Sequence, residues 1–128
     1  MMKYLPVMNE SMLMENITEY KVSGRSITAK FCVQPHIPFF NGHFPGDPIM
    51  PGVAHIHFVQ RLLEHHFCRK TRILSVQKAK FTSPVRPGDV IRMRLIVRGD
   101  SVAEWQFQVG KVTVSSGTLV FKTAGGNP

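Results

Sequence analysis

A chain of 128 residues, 43% hydrophobic and 19% charged, has the size and balance of one globular domain over 1–128 rather than of a disordered segment. No apolar run approaches the roughly 18 residues that would span a bilayer, and the opening Met-Met-Lys-Tyr-Leu-Pro has no signal-peptide core, so a cytoplasmic protein is expected. The formal charge of +8 comes without zinc-finger spacing, an aromatic RNA-binding strand or a basic tail; this argues against nucleic acid and leaves plain solubility or an acidic partner.

In chain order, residues 1–13 read as an arm packed on the domain. Residues 15–23 and 26–34 read as a hairpin about Ser23-Gly24-Arg25, with Ile27, Ala29, Phe31 and Val33 on one alternating face. Pro35 and Pro38 lead into the stiffest stretch of the chain, Phe39 to Val53. There Pro45, Pro48 and Pro51 each fix a φ angle, while Gly42, Gly46 and Gly52 leave room for turns or for a ligand. Such stiffness has a use if one side chain must be held still, and the candidate is His43.

Pro51 to about Phe67 reads as a helix, with Pro51 in its first turn. At about 100° per residue, Ile56, Phe58, Val59, Leu62, Leu63 and Phe67 share a broad apolar arc. Val53, His57, Gln60 and Glu64 form a narrower seam, expected to face a second protein surface or a ligand cavity. His55 projects into the apolar arc and reads as a core or interface histidine, while His65 and His66 suit the helix C-terminus. The remainder reads as four strands in antiparallel succession: 72–81, 90–98, 103–109 and 112–121. The last should carry a bulge at Ser115-Ser116-Gly117, where its inward parity flips. Residues 123–128 should fray. Cys32 and Cys68 lie far apart, have no metal-like spacing and read as buried thiols of a reducing compartment. No metal or cofactor is expected. The sum is an α+β domain, an antiparallel sheet wrapped around one long helix.

Two stretches point to a family. Gly42-His43-Phe44-Pro45-Gly46-Asp47-Pro48-Ile49-Met50-Pro51-Gly52-Val53 resembles the active-site loop of the hot-dog-fold 3-hydroxyacyl-[acyl-carrier-protein] dehydratases. Lys78-Ala79-Lys80-Phe81-Thr82-Ser83-Pro84-Val85-Arg86-Pro87-Gly88-Asp89 resembles a strand-turn of the same proteins. With the flanking strands the resemblance covers residues 15–122. The short chain and high charge are similar to the dehydratase-like proteins of aryl polyene pigment clusters. The resemblance implies a homodimer, or a higher oligomer built from it, whose sheets join edge to edge. It also implies an acyl tunnel at the dimer interface and an acidic acyl carrier protein as partner. Phe44, Gly52 and Val53 would line the substrate, with the Gly52 N–H on the thioester carbonyl.

Dehydrating a 3-hydroxyacyl thioester takes a base for the α-proton, a donor for the enolate oxygen and an acid for the departing hydroxyl. Histidine titrates near neutrality and suits the first task, which falls to His43. A structural histidine that ties down its loop is the other reading. The start of a helix offers free N–H groups, and Gly52 sits there; Gly52 as a mere tight junction remains open. The family's acid is a Glu or Asp on the helix, and the matching position here is His57. His57 itself as the acid, Glu64 acting through water or through His57, and a site that has lost dehydration all stay open. A lost dehydratase would be a thioesterase of the same fold or a non-catalytic acyl-carrier-binding module. Gln60 would hydrogen-bond substrate or be a satisfied buried amide. Lys78, Lys80, Arg86, Arg92, Arg94 and Arg98 are candidates for a cationic rim that meets the carrier.

Overall fold

The computed structural model describes residues 17–34 and 49–124. Among these lie six strands and one helix: β1 (Ile17–Ser23), β2 (Ser26–Cys32), α1 (Gly52–Phe67), β3 (Thr71–Phe81), β4 (Val90–Arg98), β5 (Val102–Val109) and β6 (Val112–Thr123). The expected arm, the loop that carries His43 and Phe44, and residues 125–128 lie outside the described residues.

Alternation sets the faces of the sheet. Ile27, Ala29 and Phe31 of β2, Ile91, Met93 and Leu95 of β4, and Ala103, Trp105 and Phe107 of β5 are all buried, in one core with Phe58, Val59, Leu62 and Leu63 of α1. Each such large side chain contributes roughly 1.5–3 kcal/mol by leaving water. Their neighbours Arg92, Arg94 and Gln106 are exposed on the opposite face.

The sheet is antiparallel throughout, in the order β1-β2-β4-β5-β6-β3. The expected succession of four strands therefore holds only for β4, β5 and β6. β3 leaves the helix at the far edge of the sheet, beside β6, and residues 82–89 carry the chain back to β4. This return loop runs largely at the surface but is pinned to the fold by backbone hydrogen bonds around one buried residue. The Met50 N–H donates to the Val85 carbonyl at 2.8 Å, Gly88 N–H to Val33 at 2.9 Å and Val33 N–H to Asp89 at 2.8 Å, while Val85 itself is fully buried.

Pro51 is extended (φ −70°, ψ 155°) and caps the helix without a side-chain bond, so the first helical residue is Gly52, one later than expected. Cys68, left-handed at φ 55°, ends the helix. The bulge in β6 falls just upstream of its expected place. Phe107 faces Ser115 and Gln108 faces Thr113, which leaves Val114 as the extra residue, and Val114 and Ser115 are both buried. Gly117 has a different task. It lies opposite Trp105, and a Cβ there would sit 2.4 Å from the indole.

Two expectations are corrected. Both cysteines are free and exposed: Cys32 alternates outward from buried Phe31, and Cys68 sits past the end of the helix's apolar face. The chain also stays anchored beyond 123, because Thr123 ends β6 and the Ala124 N–H donates to the Lys70 carbonyl at 2.7 Å. No helix among the described residues is long and apolar enough to cross a membrane.

Candidate active site

Gly52 opens α1 with no acidic residue in the first turn and no side-chain cap, so the first N–H groups of the helix keep their donor capacity. Phe81, the last residue of β3, lies across this end. A Cβ on Gly52 would stand 3.2 Å from its ring, so glycine is what allows helix and strand to meet so closely. Between them is a pocket of about 200 Å³ lined by Met50, Gly52, His55, Phe81, Thr82 and Ser83.

His55 is one turn below Gly52 on the same face. Its Nδ1 lies 2.8 Å from the Ser115 hydroxyl, and the Trp105 indole N–H donates to that same oxygen at 3.1 Å. All three side chains are buried. Burial pushes the His55 imidazole down to about 4, so it is neutral near pH 7. Trp105 can only donate and Ser115 has one proton to give; a hydroxyl that donates to Nδ1 of neutral His55 satisfies all three groups. The ring is further held edge-on by Phe81 and stacked on Phe107. The sequence marked His55 as a core residue but gave no hint of Ser115, whose inward turn depends on the extra residue at Val114.

His57 is buried, at 5% exposure, and lies about 140° around the helix from Gly52. Val53 is half exposed beside it. The rest of the seam is engaged inside the protomer. The Gln60 side-chain amide donates to the Thr71 carbonyl at 2.8 Å, and the Thr71 N–H donates to Glu64 Oε2 at 2.8 Å. Glu64 Oε1 is paired with Arg61. Glu64 stands about 10 Å along the helix axis from His57. The lower half of the seam clamps the first residue of β3, and Glu64 also lines a pocket with His65, Cys68, Arg69 and Lys70. Among the described residues no group of three His, Cys, Asp or Glu is placed to hold a metal.

The basic residues also divide. Lys78 and Lys80 are exposed on β3, and Arg86 is exposed on the return loop beside Val85, whose carbonyl accepts from the Met50 N–H just ahead of the helix. Arg92 and Arg94 stand on the face of β4 turned away from α1, and Arg98 reaches Glu104 at 3.2 Å. A rim around a tunnel beside the helix cannot include Arg92 or Arg94.

The model of the family described as "ApeI-like: ApeI dehydratase" matches residues 19–118. The 3-hydroxyacyl-[acyl-carrier-protein] dehydratase FabZ of Chlamydia trachomatis serovar L2 is 37% identical over 130 aligned positions, spanning 91% of this chain and 85% of that one. Among solved structures, the dehydratase heterocomplex ApeI:P of Xenorhabdus doucetiae superposes with a TM-score of 0.72 at 21% identity, over 82% of this chain and 92% of that one. A hypothetical thioesterase protein with coenzyme A from Streptococcus pneumoniae TIGR4 gives 0.66 at 14% identity, over 98% of both chains. At those identities the two structures speak to the fold alone. An antiparallel sheet closed over one long helix, with these neighbours, is the hot-dog fold. By sequence, the chain belongs to the ApeI-like dehydratase family.

Proposed function

We propose that this chain is a hydro-lyase that converts (3R)-hydroxyacyl thioesters on an acyl carrier protein to trans-2-enoyl thioesters, in fatty-acid-like or polyene biosynthesis. One observation carries most of the reading. A helix that begins uncapped at a glycine also holds a buried, titratable His57 at the family's acid position. In this mechanism His43 takes the α-proton, and the Gly52 N–H meets the carbonyl oxygen as it gains charge. His57 as imidazolium protonates the leaving hydroxyl, the C–O bond breaks, and water departs as the double bond forms. No cofactor enters. The engagement of both Glu64 oxygens elsewhere supports His57 itself as the acid. Val53 and Phe44 are assigned to the acyl chain.

The working unit is a homodimer joined along β3. That strand ends the sheet, and its exposed side chains include the apolar Leu74, Val76 and Phe81, so a monomer would leave its edge open to association. His43 of one protomer then meets His57 of its partner. The partner is an acidic acyl carrier protein, met by Lys78, Lys80 and Arg86. Two free thiols fit a cytoplasmic setting.

Incubation with a carrier-bound 3-hydroxyacyl thioester tests the reading. The expected product is the enoyl thioester, with water as the only other product. Release of the free acid would assign hydrolysis, and binding without turnover would assign a carrier-binding module.

A further inference from the structure

The face of β1, β2, β4 and β5 turned away from α1 holds a concavity of about 430 Å³ that shares no lining residue with the pocket at the helix start. Strand register builds its floor. Lys30 of β2 stands directly opposite Arg92 of β4, which stands opposite Gln108 of β5. The next rung runs through Lys21, Thr28, Arg94 and Gln106. Like charges directly opposed on a sheet are destabilising, and outward positions impose no packing demand that a lysine or arginine alone would meet. Among the described residues the lining carries one carboxylate, Glu19, against four cations. Glu19 sits in a bulge of β1 with left-handed φ of 54°, a conformation that costs about 1 kcal/mol or more in a non-glycine residue, and reaches Lys30 at 3.0 Å.

Two arginine forks and two lysines with neutral amide donors beside them match the oxygens of phosphate groups. Among the described residues no aromatic side chain lines the concavity to offer a nucleobase a platform. At about 430 Å³ it is larger than one phosphate needs. We propose that this concavity binds an oligophosphate, a di- or triphosphate group, at a site separate from the acyl site and independent of the dehydratase reading.

Calorimetric titration of the full chain with inorganic tripolyphosphate, at an ionic strength that screens diffuse charge, tests it. Saturable binding of one anion per chain is expected, with sulfate much weaker. The double variant Arg92→Gln/Arg94→Gln should weaken it by about tenfold or more, as loss of charge-assisted bonds implies. Arg72→Gln/Lys122→Gln removes the same charge from a directly opposed pair elsewhere, on β3 and β6, and should change it by less than about threefold. Lys21→Gln/Lys30→Gln serves if the arginine variant does not fold. Absence of saturable binding, or equal weakening by the β3–β6 pair, would overturn the proposal. So would competitive displacement of tripolyphosphate by an acyl carrier protein, which would assign the face to an acidic protein.

Discussion

The two halves of α1 carry similar polar residues and use them in opposite ways. In the lower half, Gln60 and Glu64 grip both backbone groups of Thr71 and fix where β3 begins. In the upper half, Gly52 and His55 line a pocket beside Phe81 at an uncapped helix start, while buried His57 lies further around the helix. A polar seam on a buried helix is thus two structures in series. The lower one holds the scaffold, and the upper one is where the proposed chemistry is assigned. The difference follows from the chain after the helix. Its left-handed stop at Cys68 folds Thr71 back along the last two turns, so only the lower half meets unpaired backbone.

The sharpest way to break this contrast is His57→Gln. If the upper half does the chemistry, kcat should fall about 10²- to 10⁴-fold, the worth of a positioned acid, while the melting temperature stays nearly unchanged. His57→Glu should keep or raise turnover. Wild-type rates in His57→Gln would remove the residue from the mechanism.

Acid titration separates His55 from its neighbours. Its folded pKa of about 4 lies below the ordinary histidine value near 6.5, so the unfolded chain binds the proton first. Stability from this residue is complete above about pH 6.5 and is lost as pH falls toward 4, by on the order of 3 kcal/mol. Chemical denaturation of wild type and His55→Gln across that window should show the difference, and parallel curves would contradict it.

The smallest of these effects belongs to the lower half. Glu64→Leu leaves the Thr71 N–H and Arg61 without their carboxylate and should cost about 2 kcal/mol in denaturant unfolding. Turnover per folded molecule should stay within a few-fold. A collapse of kcat at full folding would return Glu64 to the site.

Strand alternation and the apolar helix were legible because burial imposes periods of two and 3.6 directly on the residues. The inward runs through Ile27–Phe31 and Ile91–Leu95 follow it without exception. Where β3 would pair was not legible. Adjacency in sequence favours β4, but the return loop through buried Val85 takes β3 to the far edge, and the bonds that pin that loop are tertiary. The parity flip in β6 was visible as Val114 against Leu119, though not which residue was extra. The seam's partners inside the protomer were not legible for a related reason: polarity is written in the side chain, but its partner is set by how the chain returns. The exposed cysteines show the same limit, since each sits where a buried element is ending.

Trp105 is the single tryptophan of the chain, and it sits two hydrogen bonds from the pocket at the head of the helix. The molecule therefore carries one built-in optical reporter at a known place. A change in the emission of this indole would register a proton arriving on the neighbouring imidazole, or a guest lodging above it, without any label added to the protein.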